Sequence, residues 1–336
     1  MADAPTDLSR LLSLVQGFRA SQVTYVVAKL GIADRLAESP RTADELAAPL
    51  GVNADRLGRT LRLAAYYGLV AEVSGQRFEL TPIGRLLCTG VAGFVKATAV
   101  MLGEEHYRAW ADLLYSVRTG EPAFDHVFGA PFFDYMTSHP ETQATFDAAM
   151  SDGVDVFYTS LADNFDFAKS RVVVDVGGGN GSLSAVILKR HPHIEAVIYD
   201  QPQVLDAADA YLNSAGVRSR CRLVPGNFFE LVPEGGDAYL LSNIVHDWDD
   251  ERALRILRNC RTAMAPEGAI LLVESVFPEH GQPSRAAMFD VNMMVVLTGR
   301  ERTEQQYRAL LAAADLQLTR VTPISGTECL IESRPL

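Results

Sequence analysis

The stretch Val172-Val173-Val174-Asp175-Val176-Gly177-Gly178-Gly179-Asn180-Gly181 constrains the fold more than any other. An apolar, β-branched run ends in Asp and Val and breaks into glycines. Leu183, Ala185, Val186, Ile187 and Leu188 follow with helix-forming character. A strand, a tight turn and a helix start form the opening unit of a nucleotide-binding α/β sheet. Glycine in such a turn lets the backbone approach a ligand more closely than a side chain would allow. A turn that holds no ligand is the plainer alternative.

The glycine spacing is G-x-G-x-G with an acid two positions before it, whereas a dinucleotide fingerprint runs G-x-G-x-x-G. Ser182 stands where the last glycine of that fingerprint would be. A carboxylate before the turn, Asp175, suits a ligand carrying an ammonium group better than one carrying phosphates. S-adenosylmethionine is such a ligand. Downstream of residue 171, strands are expected at 171–176, 195–199, 221–225, 237–242, 268–275, 316–322 and 327–333. Helices are expected at 181–190, 202–214, 250–264 and 303–314. This alternation indicates a mostly parallel, doubly wound Rossmann-like sheet with its ligand at the strand C-termini.

The N-terminal third reads differently. Leu8, Leu11, Leu12, Val15 and Phe18, then Val23, Val26, Val27 and Leu30, recur at helical spacing. Thr42-Ala43-Asp44-Glu45 resembles a capping box. Residues 69–73 and 78–80 suggest a hairpin around Ser74-Gly75. Short helices followed by a hairpin make a winged-helix pattern, which serves either DNA binding or dimerisation. Arg41, Arg56, Arg59, Arg62, Arg77 and Arg85 are nearly balanced by Asp44, Glu45, Asp55, Glu72 and Glu79. A DNA reader shows a clearer basic excess, and the net charge of −12 over 336 residues argues the same way. Residues 91–165 are helical and rich in aromatics, from Phe94 to Phe157, and some of these rings suit a flat apolar pocket. The expected domains are 1–95, a winged-helix dimerisation domain; 96–165, a helical linker contributing to an acceptor pocket; and 166–336, the sheet domain.

Cys88, Cys221, Cys260 and Cys329 are scattered, so neither a disulfide framework nor a cysteine metal site is indicated. The other histidines, among them His106, His126 and His280, form no convincing ligand pattern with acids, and no metal is expected. There is no signal-peptide pattern at the N-terminus and no apolar run near the ~20 residues that cross a bilayer. The expectation is a cytoplasmic protein with no nucleic-acid or membrane partner.

Several residues carry chemistry. Asp200 ends the second sheet strand, where an acid hydrogen-bonds both hydroxyls of an adenosyl ribose. Asn227 and Phe228 follow the third strand and could read an adenine edge and stack on its face. His246, in Ser242-Asn243-Ile244-Val245-His246-Asp247-Trp248-Asp249-Asp250-Glu251, lies just beyond the fourth strand, where catalytic groups sit in such sheets.

Three motifs together, Val-Asp-Val-Gly-Gly-Gly-Asn-Gly, His246-Asp247-Trp248-Asp249-Asp250-Glu251 and Gly299-Arg300-Glu301-Arg302-Thr303, resemble the S-adenosylmethionine-dependent O-methyltransferases of the plant caffeate type. The likeness extends over essentially the whole chain and is nearest to bacterial enzymes that tailor aromatic antibiotics. It implies a homodimer intertwined through the N-terminal region. It also implies S-adenosyl-L-methionine as methyl donor and S-adenosylhomocysteine as product. His246 would be the general base, flanked by Glu274 and Glu301. Gly177 and Gly179 would approach the methionine part of the cofactor, and Ser242 would be another cofactor contact. Phe146, Met150, Asp247 and Met293 would face the acceptor. Plant members usually carry Asp and Lys where Asn227 and Ser242 stand here.

The chemistry implied is in-line displacement at a sulfonium carbon by a phenolic oxygen whose proton the histidine accepts. Phenols ionise near pH ~10 and histidine near ~6.5, so a carboxylate on the second ring nitrogen is needed to fix the tautomer and stabilise the imidazolium. The competing readings are methylation at nitrogen or carbon, a diverged S-adenosylmethionine-dependent hydroxylase or decarboxylase, and a winged-helix regulator that senses S-adenosylmethionine.

Overall fold

The computed structural model describes the chain except residues 1–5, 92–94, 152–153 and 280–281, together with the side chains of 151–157. Phe94, His280 and the Phe157 side chain therefore lie outside the described residues. The chain divides into two compact units, Met1–Tyr107 with Glu141–Gly153, and Arg108–Pro140 with Val154–Leu336.

The first unit is built on short helices and a three-stranded antiparallel sheet. Its strands are β1 (Arg41–Thr42), β2 (Val70–Val73) and β3 (Arg77–Leu80), ordered β1-β3-β2. β2 and β3 are the expected hairpin. β1 is two residues long, too short to leave an alternating pattern. Thr42 caps the helix Ala43–Leu50, and Glu45 returns the bond to the Thr42 N–H, so the capping box forms as read. Leu46, Leu57 and Leu61 bury the facing sides of the two helices against Phe78 and Leu80 of β3. This is a winged-helix arrangement.

The helical spacing between Leu8 and Leu30 resolves into two helices, Asp7–Val15 and Phe18–Lys29, separated at Gln16-Gly17. The second buries Val23, Val27 and Ala28. The first buries nothing within the chain: Leu8, Leu11, Leu12, Leu14 and Val15 are all exposed.

The second unit holds a mixed eight-stranded sheet. Its strands are β4 (Val172–Val176), β5 (Glu195–Asp200), β6 (Cys221–Pro225), β7 (Ala238–Ser242), β8 (Ala269–Phe277), β9 (Arg302–Thr303), β10 (Leu316–Ser325) and β11 (Glu328–Pro335). The path is β10-β11-β8-β7-β4-β5-β6, with β9 added to the end of β8. β6, β5, β4, β7 and β8 are mutually parallel, and β11 enters antiparallel between β8 and β10. The last two strands thus form a hairpin that β8 admits to the sheet.

Parallel strands buried on both faces read as continuous apolar runs, which explains Val172–Val176 and Ala269–Val273. Successive residues point to opposite faces. Val173, Leu240 and Leu271 pack on one side with Leu161, Leu183 and Leu212. Val174, Leu241 and Leu272 pack on the other with Ile256, Leu257 and Leu311. All four cysteines are buried and unpaired, so none forms a disulfide. No helix of the described residues is long and apolar enough to cross a membrane.

Leu240 of β7 is fully buried at the sheet centre. Leu240→Ala should lower the unfolding free energy of the second unit by about 2–5 kcal/mol. Urea unfolding followed by tryptophan fluorescence measures this directly, because Trp110 and Trp248 both belong to that unit.

Candidate active site

The residues singled out in the second unit sit at the C-terminal ends of the parallel strands. β4 turns back on β5 and β6 at one side and, at the other, adjoins β7. That reversal is the topological switch point at which open α/β sheets leave a crevice.

At the end of β4 the chain takes left-handed conformations at Gly177 (φ 70°), Gly179 (φ 55°) and Gly181 (φ 77°), the last capping the helix Ser182–Arg190. Gly177 is favoured by its left-handed φ, and a Cβ there would stand 2.4 Å from Ile244 Cδ1, so the Ile244 side chain would have to shift. Around Gly179 nothing lies within 4 Å of a built Cβ, so its surroundings are open. The Gly177 N–H donates to Tyr199 O at 2.8 Å, locking the turn to β5.

Asp200 ends β5 with its carboxylate toward this turn. Its Oδ2 accepts from the Gly179 N–H at 2.8 Å and its Oδ1 from the Gln201 N–H at 2.7 Å. Asp175 is buried beneath the turn, where Ser184 Oγ donates to Oδ2 at 2.6 Å. Burial pushes its carboxyl up to about 6. Asn227 is exposed; its Oδ1 accepts from the Phe229 N–H and its Nδ2 donates to Glu230. Phe228 packs edge-on to Phe229 and Trp248 and lies 3.8 Å from the Cβ position of Gly177. Ser242 ends β7, half-buried, and burial raises the Tyr158 phenol to about 12.

Beyond β7, Asn243 takes a left-handed φ of 53° and its N–H donates to Val273 O at 2.9 Å. Asparagine tolerates this conformation better than most side chains. The chain then makes one tight helical turn, Val245–Asp247, before Asp249 caps the helix Asp250–Ala263. His246 therefore sits on a short, pinned segment. Its Nδ1 lies 2.9 Å from Glu301 Oε1 and 3.6 Å from Glu274 Oε2. Its Nε2 lies 3.4 Å from Asp247 Oδ1. The imidazole side chain is 12% exposed, whereas those of Glu274 and Glu301 are fully buried.

Glu274, near the end of β8, accepts the Val245 N–H at 2.7 Å and the Ile244 N–H at 3.2 Å through Oε1. It is thus tied to the segment carrying the histidine as well as placed beside the ring. Glu301 is held by its own N–H, which donates to Asp290 Oδ1 at 2.9 Å. The second oxygens of Glu274 and Glu301 are buried with no hydrogen-bond partner. Burial works against the imidazolium, yet the carboxylates of Glu274, Glu301 and Asp247 outweigh it and raise the His246 pKa above its ordinary value. Burial likewise raises Glu274, with His246 opposing, and lifts Asp247 to about 6.

A carboxylate of Glu301 can only accept, so Nδ1 carries the hydrogen in that contact. A neutral ring held this way offers Nε2 as its lone pair. The arrangement can take a proton on one nitrogen and stabilise the resulting charge on the other.

Met293 is buried in the helix Ala286–Val296, where the neighbouring Asn292 accepts from Trp110 Nε1 at 2.9 Å. Phe146, partly buried, and Met150, 45% exposed, lie on the helix Pro140–Ser151. Sequence reasoning gave Gly299 no role beyond its motif and passed over Asp290. A Cβ at Gly299 would stand 1.8 Å from His246 O. An acid inside the apolar run Phe289-Asp290-Val291 was the one local sign available for Asp290.

Two family models match: an O-methyltransferase domain over residues 110–317 and an O-methyltransferase dimerisation domain over residues 12–90. The chain belongs to the O-methyltransferase family, whose methyl donor is S-adenosylmethionine. It is 42% identical to a phenazine O-methyltransferase of Lysobacter antibioticus, covering 98% of this chain and 96% of that one. It is 41% identical to a 3-amino-4-hydroxybenzoate 4-O-methyltransferase of Streptomyces cremeus, covering 94% and 87%. Among solved structures it superposes with a TM-score of 0.87 on an O-methyltransferase from neocarzinostatin biosynthesis, bound to S-adenosylmethionine and 2-hydroxy-5-methyl naphthoic acid. That pair is 31% identical, over 99% of this chain and all of the other.

The turn fits the cofactor chemically. Open space at Gly179, a carboxylate at Asp200 and no basic side chain within Gly177–Gly181 suit a ribose diol and an ammonium, not a phosphate. Gly299→Ala should cut turnover at least about 10²-fold while leaving the far-UV spectrum native, because a shift of about 1 Å at the histidine segment suffices. Steady-state rates beside circular dichroism check this.

Proposed function

We propose that this enzyme methylates a phenolic hydroxyl of an aromatic natural-product intermediate, with His246 as general base. The observation that carries the reading is the 2.9 Å contact between His246 Nδ1 and buried Glu301, with Glu274 Oε2 3.6 Å from the same nitrogen. S-adenosylmethionine, when bound, supplies a methyl group on a sulfonium, so the protein's task is to hold and deprotonate the attacking oxygen. Nε2 of His246 takes that proton as the oxygen–carbon bond forms. Glu301 keeps Nδ1 protonated and shares the charge that develops on the ring. A raised histidine pKa lies closer to that of a phenol, so the transfer is nearer to balance than with an unperturbed imidazole.

Asp200 is proposed to bind the ribose, Gly177 and Gly179 to admit the methionine portion, and Asn227, Phe228 and Ser242 to contact the adenosyl group. Asp175 is proposed to act on the cofactor through the turn that it supports. For Phe146, Met150, Met293 and Asp247 the acceptor-facing role rests on the family resemblance. Residues 1–95 are proposed as the dimerisation domain, 96–165 as a linker contributing to the acceptor pocket and 166–336 as the cofactor domain. The exposed apolar helix Asp7–Val15 and the dimerisation-domain match support a homodimer. The likeness to an enzyme of neocarzinostatin biosynthesis supports a role in antibiotic-type secondary metabolism, and a cytoplasmic location is proposed with it.

Turnover of methyl-labelled S-adenosylmethionine with hydroxylated benzoates, naphthoates, anthraquinones and phenazines tests the reaction. A one-methyl gain on oxygen is expected; tight cofactor binding with labelled product on nitrogen or carbon alone would refute it. His246→Gln should lower kcat by about 10²–10⁴ with cofactor affinity retained, as isothermal calorimetry and initial rates would report. The base works only when neutral, and its pKa is raised. kcat/KM should therefore climb with pH up to about 10, read from rates at saturating cofactor. Gly179→Ala meets no protein atom, so it should change stability by only about 1–2 kcal/mol of left-handed strain. A much larger loss of S-adenosylmethionine affinity is expected if the cofactor fills that space.

A further inference from the structure

The motif Gly299-Arg300-Glu301-Arg302-Thr303 contains a second charged residue that the proposed chemistry leaves unused. Arg302 is 1% exposed, the bulkiest of the fully buried side chains. Burying a guanidinium is costly unless its donors are met. Here each is met. Nε and Nη2 donate to Asp250 Oδ1 at 3.0 and 2.7 Å, Nη1 to Val245 O at 3.0 Å and Arg300 O at 3.5 Å, and Nη2 also to Trp248 O at 2.9 Å.

The accepting groups are informative. Val245 and Trp248 bracket His246 in sequence. The carbonyl of His246 itself accepts from the Arg300 N–H at 2.8 Å. Three carbonyls of the histidine segment, 245, 246 and 248, are thus held by residues 300 and 302, while Glu301 between them holds the ring. Arg302 is in turn fixed in β9, paired with Val276 two residues beyond Glu274 on β8. The side chain of Asp250, its one anionic partner, is 67% exposed and opens the helix that follows.

We propose that Arg302 is a positioning residue for the reaction, a clamp that keeps the His246 segment in register with Glu301. The proposal rests on His246 being the base, but its physical content, the hold on the imidazole, can be read without turnover. Lysine cannot replace the fork: it has three donors on a point charge, where arginine has five in a plane.

The test uses the full-length protein with S-adenosylhomocysteine present, labelled with ¹⁵N-histidine. The His246 ring signal is assigned by its disappearance in His246→Gln. In Arg302→Lys the ring is expected to loosen from Glu301, so its titration midpoint should fall by about one pH unit or more. On the phenolic acceptor identified in the panel above, kcat should drop by about 10–100-fold, with KM for S-adenosylmethionine within about twofold. Arg302→Met serves as a second variant, with cofactor binding as its fold check. An unchanged His246 midpoint in folded Arg302→Lys, or a rate loss that merely tracks the unfolded fraction, overturns the proposal. If His246→Gln stays active, the base assignment fails, while the ring titration still decides the role of Arg302.

Discussion

Two carboxylates, Glu274 and Glu301, are buried beside one imidazole, and each leaves an oxygen without a hydrogen bond. Acids in that condition are unfavourable unless positive charge stays close. The rest of the second unit is arranged around meeting that condition. β8 brings Glu274 to the sheet's C-terminal edge, β9 brings Glu301 alongside it, and the turn after β7 lowers His246 between them. Attraction among the three raises the histidine pKa despite its burial. A poor place to bury charge becomes a place where an imidazole is held with its pKa raised, as the proposed base requires.

The cofactor turn and the base are joined mechanically as well as by proximity. Gly177 leaves room for Ile244, two residues before His246, and Glu274 reaches the N–H groups of Ile244 and Val245. The switch point therefore brings together a glycine turn from β4, the histidine turn from β7 and an acid from β8 at adjacent strand ends. Small residues at Gly177 and Gly299 are as necessary there as the charged ones, because backbone meets backbone or side chain at contact distance.

Much of this was legible in the sequence. The glycine turn announces itself because positive φ demands glycine, and the strand–helix alternation because buried parallel strands are continuously apolar. The boundaries of the helix at 202–214 and the strand at 221–225 were read as they occur. The histidine with its two acids was legible only through the three motifs taken together, since the contacts span up to 55 residues of sequence. Arg302 was not legible as a buried clamp: most of its partners are backbone carbonyls, which have no letter, and its side-chain partner Asp250 is 52 residues away. β1 and β9 were missed because a two-residue strand leaves no alternation.

The clamp on the histidine segment grips main-chain oxygens at positions 245, 246 and 248. A carbonyl is the same group whatever side chain it accompanies. Substitution at 245 or 248 therefore leaves the gripped oxygen in place, whereas replacing Arg302 removes the donors themselves. The grip fixes the course of the backbone and leaves the choice of side chain to other demands, core packing at Val245 and aromatic contact at Trp248.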